Sequence, residues 1–371
     1  MPTSDPTAGD LRAARGLIAH AAYACRHSGV CCSSDWAIPV EDALHARLTQ
    51  AIAAGEVRPR DGIGVADWPG LPPGTRSLLG RLRGRCVFHG EGPNACALHG
   101  WGGAEAKPIA CRQFPWIAVH DPRGTFVSLS HVCPSAADRL ADAALLQLVP
   151  MPRSAATFDG LDVRRALPPA LSARRLLDWD ALSAWEAQAL DACARNVAPE
   201  AVLDDLLALL AHARRWSRGQ GPLAAWVAAW TPDPSPASRP SAAAWASDAA
   251  LDAIVRAAAP PGLLVPPAVA RIDPPRWDAA APLVRRYLAA RLVACWPLHY
   301  GAGVATAVAY VAALLTVVAA ELSRQGPAST PAAAVVAAIA EADRLVVHLA
   351  APDALARGLD AWAARHLEGG L

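Results

Sequence analysis

Apolar residues at helical spacing dominate the second half of the chain. From about residue 176 they recur every three to four positions, as in LLDWDALSAWEAQALDACARNV and PEAVLDDLLALLAHARRWSR. This spacing predicts amphipathic helices. Proline-rich runs at 231–241 and 260–277 interrupt the pattern, and a further break is expected near Pro297. We therefore predict an all-α helical domain over residues 176–371.

One segment of this half, residues 301–320, carries no charge and is long enough to cross a bilayer. Alanine and glycine dominate it, however, and they favour insertion less than leucine or isoleucine does. No basic cluster flanks one side only. We expect a helix buried in an all-α core, covered by the apolar stripes at 181–215 and 331–350, and no membrane association.

The first third of the chain has a different pattern, with glycine and proline runs such as DWPGLPPGTRSLLG and HGWGGAEAKP. Between them, the spacing of apolar residues predicts a helix over 39–56, a strand over 125–132 and a helix over 134–148 that begins at a proline. We expect a loop-rich, metal-binding domain over residues 1–150, ordered by metal bonds rather than by an apolar core, and a mainly α fold overall.

Composition narrows the function classes. The chain is 53% hydrophobic and 18% charged, which excludes wholesale disorder. A formal net charge of +1 provides no basic field for nucleic acid. The first residues, MPTSDPTAGDLRAARGL, do not resemble a secretory signal, so a cytoplasmic location is expected. In that reducing compartment, clustered thiols are more often metal ligands or redox groups than disulfides.

Cysteines are the strongest chemical signal. Seven of the nine fall in the first third of the chain: Cys25, Cys31, Cys32, Cys86, Cys96, Cys111 and Cys133. No C-x2-C pair occurs, which disfavours a zinc ribbon. The adjacent pair either faces two different partners or reaches one cluster from a tight turn, and a strained disulfide between neighbours ranks last. We predict that the seven sulfurs converge on one metal centre, and that Cys193 and Cys295 are buried apolar residues.

Other side chains near these cysteines are weaker candidates. His89 and His99 each follow a cysteine by three positions, a spacing that suits ligation, and His131 precedes one by two. Arg112 has three alternative partners: a substrate carboxylate, the charge of a metal cluster, or an acidic neighbour.

The segment CRHSGVCC resembles the CxxCxxCC signature of the zinc- or iron-chelating cysteine-cluster (YkgJ-like) proteins, with Ser28 where the signature has its second cysteine. CVFHGEGPNACALHG and KPIACRQFPW fit the same family. The stretches CCSSDWAIPVED and FVSLSHVCPSAADRL are similar to flagellin lysine-N-methylases, enzymes associated with an iron–sulfur cluster and S-adenosylmethionine. The cysteine resemblance covers roughly residues 20–145.

This resemblance implies a 4Fe–4S cluster or, second, zinc, held by the seven cysteines, with Arg112 at a cofactor site. It also implies a protein lysine N-methyltransferase that uses S-adenosylmethionine and acts on a protein substrate. The alternative is a non-catalytic zinc- or iron-chelating protein, in metal handling or as a structural module. No C-x3-C-x2-C run occurs, and GIGV at 62–65 is too short for a dinucleotide or methyl-donor loop, so only the resemblance supports an enzyme.

Overall fold

The computed structural model describes residues 13–367 except 35, 72, 91–94, 142–145, 154–156, 173, 196, 233–247, 261–273 and 326–330. Helices take 55% of the structure and strands 14%, with sheets first and a helical region after them. The prediction of a helical second half is therefore confirmed. The prediction of a loop-rich first region is wrong in one respect, because this region is built on β-sheets.

The strands within the described residues are short and belong to four sheets. Their order is β10-β7-β8-β1-β9 in a five-stranded sheet and β2-β4-β3 in a three-stranded sheet, while β5–β6 and β11–β12 are two-stranded. Their bounds are β1 Arg15–Leu17, β2 Pro39–Glu41, β3 Val65–Asp67, β4 Thr75–Leu79, β5 Arg81–Leu82, β6 Arg85–Cys86, β7 Trp116–Asp121, β8 Gly124–Leu129, β9 Leu148–Pro150, β10 Leu161–Asp162, β11 Ala170–Ser172 and β12 Arg175–Leu176.

The helices range from four to 21 residues, and the longest lie in the second half. Their bounds are α1 Ile18–Ala21, α2 Asp42–Ala53, α3 Ala97–Gly102, α4 Ile109–Gln113, α5 Pro134–Ala137, α6 Trp179–Ala194, α7 Pro199–Arg214, α8 Leu223–Ala228, α9 Ala249–Ala258, α10 Pro274–Leu292, α11 Pro297–Tyr300, α12 Val304–Arg324, α13 Pro331–Ala342 and α14 Pro352–Leu367. A segment of π-helix, Asp343–Leu349, joins α13 to α14 and is called the π turn below.

Several predicted elements can be compared directly with these bounds. The helix expected over 39–56 is α2, the strand expected over 125–132 is β8, and the expected break near Pro297 separates α10 from α12. The helix expected over 134–148 is wrong in length: α5 is followed by a 3-10 turn, and residues 148–150 pair with β1 as a strand. The proline-rich runs lie largely outside the described residues.

Strand β8 connects the sheet to both the helices and the cysteines. It pairs antiparallel with β7, placing Phe126 opposite Val119, and parallel with β1. Every residue from 125 to 133 is buried. Helix α10 covers this strand, and the hydroxyl of Ser128 donates to the carbonyl of Ala290 at 2.5 Å. The strand therefore ends inside the protein and delivers Cys133 to an enclosed position.

Helix α12 contains most of the uncharged segment 301–320, which by length alone could cross a membrane. It is long and apolar enough to cross a bilayer, yet 94% of its most apolar window is buried inside the protein. It packs against the expected α7 and α13, and also against α9 and α14. Its apolar character on every side is thus accounted for by neighbouring helices, as in the centre of a helical bundle.

The three-stranded sheet and α2 enclose an apolar core of their own, which includes Val40, Leu48, Phe88 and Leu98. Burial of each large apolar side chain contributes about 1.5–3 kcal/mol. This corrects the expectation that metal bonds replace a core in the first region. Cys86 belongs to the same core, and Cys32, Cys96 and Cys111 pack against its edge, so these sulfurs are positioned by apolar packing.

Candidate metal centre

All seven clustered cysteines line one cavity of about 440 Å³. They are Cys25, Cys31, Cys32, Cys86, Cys96, Cys111 and Cys133, and every one of them is a free thiol. Cys193 and Cys295 are buried among the helices and do not line this cavity. The fold thus brings together sulfurs from widely separated stretches of the chain.

The adjacent cysteines lie in a tight turn. Gly29 has a φ of 75°, in the left-handed region that favours glycine, and starts the 3-10 turn that contains Cys31 and Cys32. In this turn the two sulfurs lie 3.9 Å apart. The interaction with the Cys32 side chain lowers the pKa of the Cys31 thiol. Of the two sequence alternatives, the turn that lets both sulfurs reach one site is the one observed.

Gly29 is also confined by a neighbour. A Cβ atom at this position would lie 2.7 Å from Nε2 of His89, closer than real Cβ contacts allow. The glycine is therefore required both by its backbone conformation and by the imidazole ring packed against it.

Three further cysteines line the cavity together with this turn. Cys86 ends β6, Cys96 precedes α3 and Cys111 lies within α4. Burial raises the pKa of the Cys111 thiol, and the charges of Cys86, Cys96 and Cys31 raise it further. Nearby thiolates repel one another, and this effect agrees with the position of these cysteines along the lining of one cavity. A bound cation would reverse the effect and stabilise the thiolates.

Cys25 and Cys133 share a different partner, the phenol of Tyr23. The hydroxyl of Tyr23 lies 3.6 Å from the sulfur of Cys133. Burial raises the pKa of this phenol, and interactions with both thiols raise it further. The backbone N–H of His27 donates to the sulfur of Cys25 at 3.3 Å. The cavity therefore holds five sulfurs in one group and two beside Tyr23.

Whether these residues fit a metal depends on their spacing. Among the described residues, no three His, Cys, Asp or Glu side chains lie close enough together to hold a single metal ion. A preformed zinc site would show such a group. A 4Fe–4S cluster takes four thiolates and keeps them farther apart, because its iron and sulfide core lies between them. The thiol-rich lining suits a cluster, and among the described residues no compact ligand group for a single ion is present.

Arg112 lines the cavity, but it is already paired. Its guanidinium contacts the carboxylate of Glu105 at 2.9 Å, which is the acidic-neighbour alternative considered from the sequence. A role of Arg112 in cofactor binding stays a prediction.

Histidines are distributed between the cavity and the protein interior. His27, His89 and His99 line the cavity, and burial lowers the pKa of His89. His131 does not line it. Its ring is fully buried and lies 3.3 Å from the carboxylate of Asp343, so it belongs to a network behind the cavity.

This buried network joins the helices to the end of β8. Asp343, in the π turn, accepts hydrogen bonds from the backbone N–H of His131 at 2.5 Å and from the hydroxyl of Tyr287 at 2.8 Å. The guanidinium of Arg291 lies 3.7 Å from the same carboxylate. Burial raises the pKa of Asp343, but the charge of Arg291 and the hydrogen bonds from His131 outweigh burial and hold it well below its ordinary value.

The π turn also contacts the wall of the cavity. Nε2 of His348 lies 2.6 Å from the hydroxyl of Ser130, and its ring packs 4.7 Å from that of Trp36. Trp36 lines the cavity, so the helical region supports one of its walls. Sequence reasoning missed Asp343 and His348. Asp343 lies close to Glu341 and Arg344 in the sequence, so its charge does not distinguish it there. The available signal was the imidazole of His348 in the apolar run LVVHLAA.

Aromatic rings form that wall. Trp36 and Phe114 pack with ring centres 5.4 Å apart, and Tyr23 meets Trp116 edge to face at 5.1 Å. All four rings line the cavity and are half-buried. Trp36 and Trp116 also pack against core clusters, so each joins the apolar interior to the cavity.

Comparisons of the chain with family models, curated proteins and solved structures found no match. The chemistry of the cavity therefore has to be inferred from its own residues and from the resemblance of its cysteine motifs.

Proposed function

We propose that this chain is a cysteine-cluster metalloprotein that binds a 4Fe–4S cluster in the cavity. The observation that carries the proposal is the convergence of seven free cysteines, from distant parts of the chain, on one cavity. Isolated cysteines are usually separate buried apolar residues. Seven in one cavity with no disulfide are better explained by a shared ligand for sulfur.

The five-sulfur group supplies more thiolates than the four that such a cluster requires. We assign the ligands to this group, which consists of Cys31, Cys32, Cys86, Cys96 and Cys111. Cys25 and Cys133, beside Tyr23, then support the site or bind the cluster in place of one of the five. Zinc is the second choice, because the spacing lacks a compact group of three ligands.

The catalytic form of the proposal is an enzyme like the protein lysine N-methylases, using S-adenosylmethionine. The resemblance of CCSSDWAIPVED and FVSLSHVCPSAADRL supports it, and so does a cavity that exposes aromatic surface beside the sulfurs. When bound, the cluster would supply a site for electron transfer or for coordinating a donor. The alternative, a non-catalytic chelating protein in metal handling, needs no such additional surface.

Anaerobic purification followed by iron, acid-labile sulfide and zinc analysis tests the proposal. Cys111→Ala and Cys193→Ala form a matched pair, because each removes one free thiol, half-buried at Cys111 and buried at Cys193, and only Cys111 lines the cavity. We expect iron and sulfide in equal amounts in the wild type and in Cys193→Ala, and a loss of both in Cys111→Ala. Full metal content in Cys111→Ala, or wild-type protein without iron and sulfide, would contradict the proposal.

A further inference from the structure

The charged side chains that line the cavity are all basic in the described part of the chain. They are Arg81, Lys107, Arg112 and Arg153. The whole sequence contains 34 basic and 33 acidic residues, so composition does not explain this segregation. Positive charge has been concentrated at this cavity by the fold.

Two of the four already have partners. Arg112 pairs with Glu105, and Arg81 donates to the backbone carbonyls of Trp36 and Gly84. Neither is fully available to an incoming molecule. The available positive charge is therefore that of Lys107 and Arg153.

Lys107 faces the sulfurs. Its ammonium group makes no hydrogen bond or ion pair within the described part of the protein, and its charge favours the thiolate forms of Cys31 and Cys111. Neutralising thiolates is a sufficient explanation for a lysine in this position. This explanation does not extend to Arg153, which faces a different surface.

Arg153 is exposed, and its guanidinium lies over two aromatic rings. It is 5.6 Å from the centre of the Trp116 ring and 5.3 Å from that of Phe158. No carboxylate pairs with it among the described residues. A guanidinium in such a cation–π contact can still donate its N–H groups to a carboxylate or phosphate. The adjacent rings can at the same time stack on a planar molecule.

We infer that the cavity binds a planar organic anion, a molecule with a carboxylate or phosphate on an aromatic body, held by Arg153 and Lys107 against the aromatic wall. The wall consists of Tyr23, Trp36, Phe114 and Trp116. This inference goes beyond the proposed function, because anion binding requires only the basic and aromatic side chains. It also predicts that a lysine ammonium group is disfavoured inside the cavity, so it argues against the lysine-methylase form of the proposed function.

Small molecules that share a ring system but differ in charge distinguish the contribution of charge from that of stacking. Anaerobically purified protein is titrated by calorimetry with 2-naphthoate, with 2-naphthylmethylammonium and with inorganic phosphate. We expect 2-naphthoate to bind with an affinity that falls as salt rises, because part of the attraction is electrostatic. The ammonium compound, with the same ring system, is expected to bind about tenfold more weakly or not at all. Phosphate, which has no ring to stack, is expected to bind more weakly than 2-naphthoate.

Three glutamine substitutions identify the residues. Arg153→Gln and Lys107→Gln are each expected to weaken 2-naphthoate binding several-fold. Arg164→Gln, which removes an exposed arginine that pairs with Asp162 outside the cavity, is expected to leave it unchanged. Equal binding of the two naphthalene probes would overturn the inference, as would an unchanged affinity in Arg153→Gln.

Iron and sulfide are measured in the same samples. We expect Arg153→Gln to retain wild-type metal content, so that its loss of affinity reports on the anion site. Selective 2-naphthoate binding by protein without iron would count against the cluster and leave this inference standing. A full iron content without selective binding of 2-naphthoate would support the cluster and overturn this inference.

Discussion

Replacing Asp343 by alanine removes the carboxylate at the centre of the buried network. The substitution deletes the acceptor for the backbone N–H of His131 and for the hydroxyl of Tyr287. It also leaves the guanidinium of Arg291, which is 4% exposed, without its buried negative partner. Three groups that are dry in the folded protein thus lose one common partner.

The magnitude follows from the buried charge. Breaking a buried ion pair by removing one partner costs about 3–5 kcal/mol, because the remaining charge stays desolvated. The lost hydrogen bonds contribute within the same range rather than adding separately, since they share one carboxylate. We therefore expect Asp343→Ala to reduce the free energy of unfolding by about 3–5 kcal/mol. Unfolding in urea, followed by circular dichroism, measures this loss.

Two comparisons make the result specific. Asp162→Ala removes an exposed carboxylate paired with Arg164, and we expect it to cost under about 1 kcal/mol. The double variant Asp343→Leu with Arg291→Met removes both charges, and we expect it to be more stable than Asp343→Ala. A loss below about 1 kcal/mol for Asp343→Ala would refute the view that this network couples the helices to the end of β8.

The remaining predictions concern pH, the glycine turn, the small core and α12. The pKa of Asp343 is lower in the folded protein than in the unfolded chain, so its carboxylate stabilises the fold above the unfolded pKa of about 3.9. This stabilisation is lost on acidification, and the wild type and Asp343→Asn should therefore converge in stability below that pH. A stability difference that stays constant with pH would contradict this. Gly29→Ala should lower the iron content of the protein. Gly55→Ala is the control, because a Cβ atom at Gly55 would meet no atom within 4 Å. Equal iron contents in the two variants would contradict a role of the Gly29 turn in metal binding. Cys111→Ser should lose metal yet keep residues 57–90 resistant to limited proteolysis, because Phe88 lies in an apolar core. Rapid cleavage within these residues would show that metal bonds are required to order them. The protein should fractionate as soluble without detergent, because α12 is covered by other helices; recovery only in an alkali-resistant membrane pellet would overturn this.

Sequence periodicity predicted the helical region because long amphipathic helices repeat their apolar positions many times. The sheets were largely missed because strands such as β1 and β6 have only two or three residues. Their pairing is also non-local: Arg15 lies beside Phe126 and Pro150. Only β8 was predicted, from the partial alternation of TFVSLSHV, and β7, which has the same length of six residues, was missed. Short strands of this kind are stabilised by tertiary packing, which the local pattern does not contain.

In the candidate site, too, some residues could be predicted from the sequence and others depend on the fold. The seven cysteines were identified from residue type and clustering, and the fold places all of them at one cavity. Lys107, Arg153 and His348 were not identified, because ordinary basic and imidazole side chains carry no signal until the fold sets them beside the sulfurs or the aromatic wall. Arg153 follows the end of β9 by three residues, so the pairing of β9 with the sheet positions it at the wall.

X-ray absorption at the iron edge of the anaerobically purified protein tests the central claim most directly, because it reports the neighbours of each iron atom. The account predicts iron surrounded by sulfur alone, with a second shell of iron scatterers that only a cluster provides, and the loss of both signals in Cys111→Ala. Isolated metal with nitrogen or oxygen neighbours and no iron–iron shell, or a spectrum unchanged in Cys111→Ala, would contradict the assignment of the cavity as an iron–sulfur site.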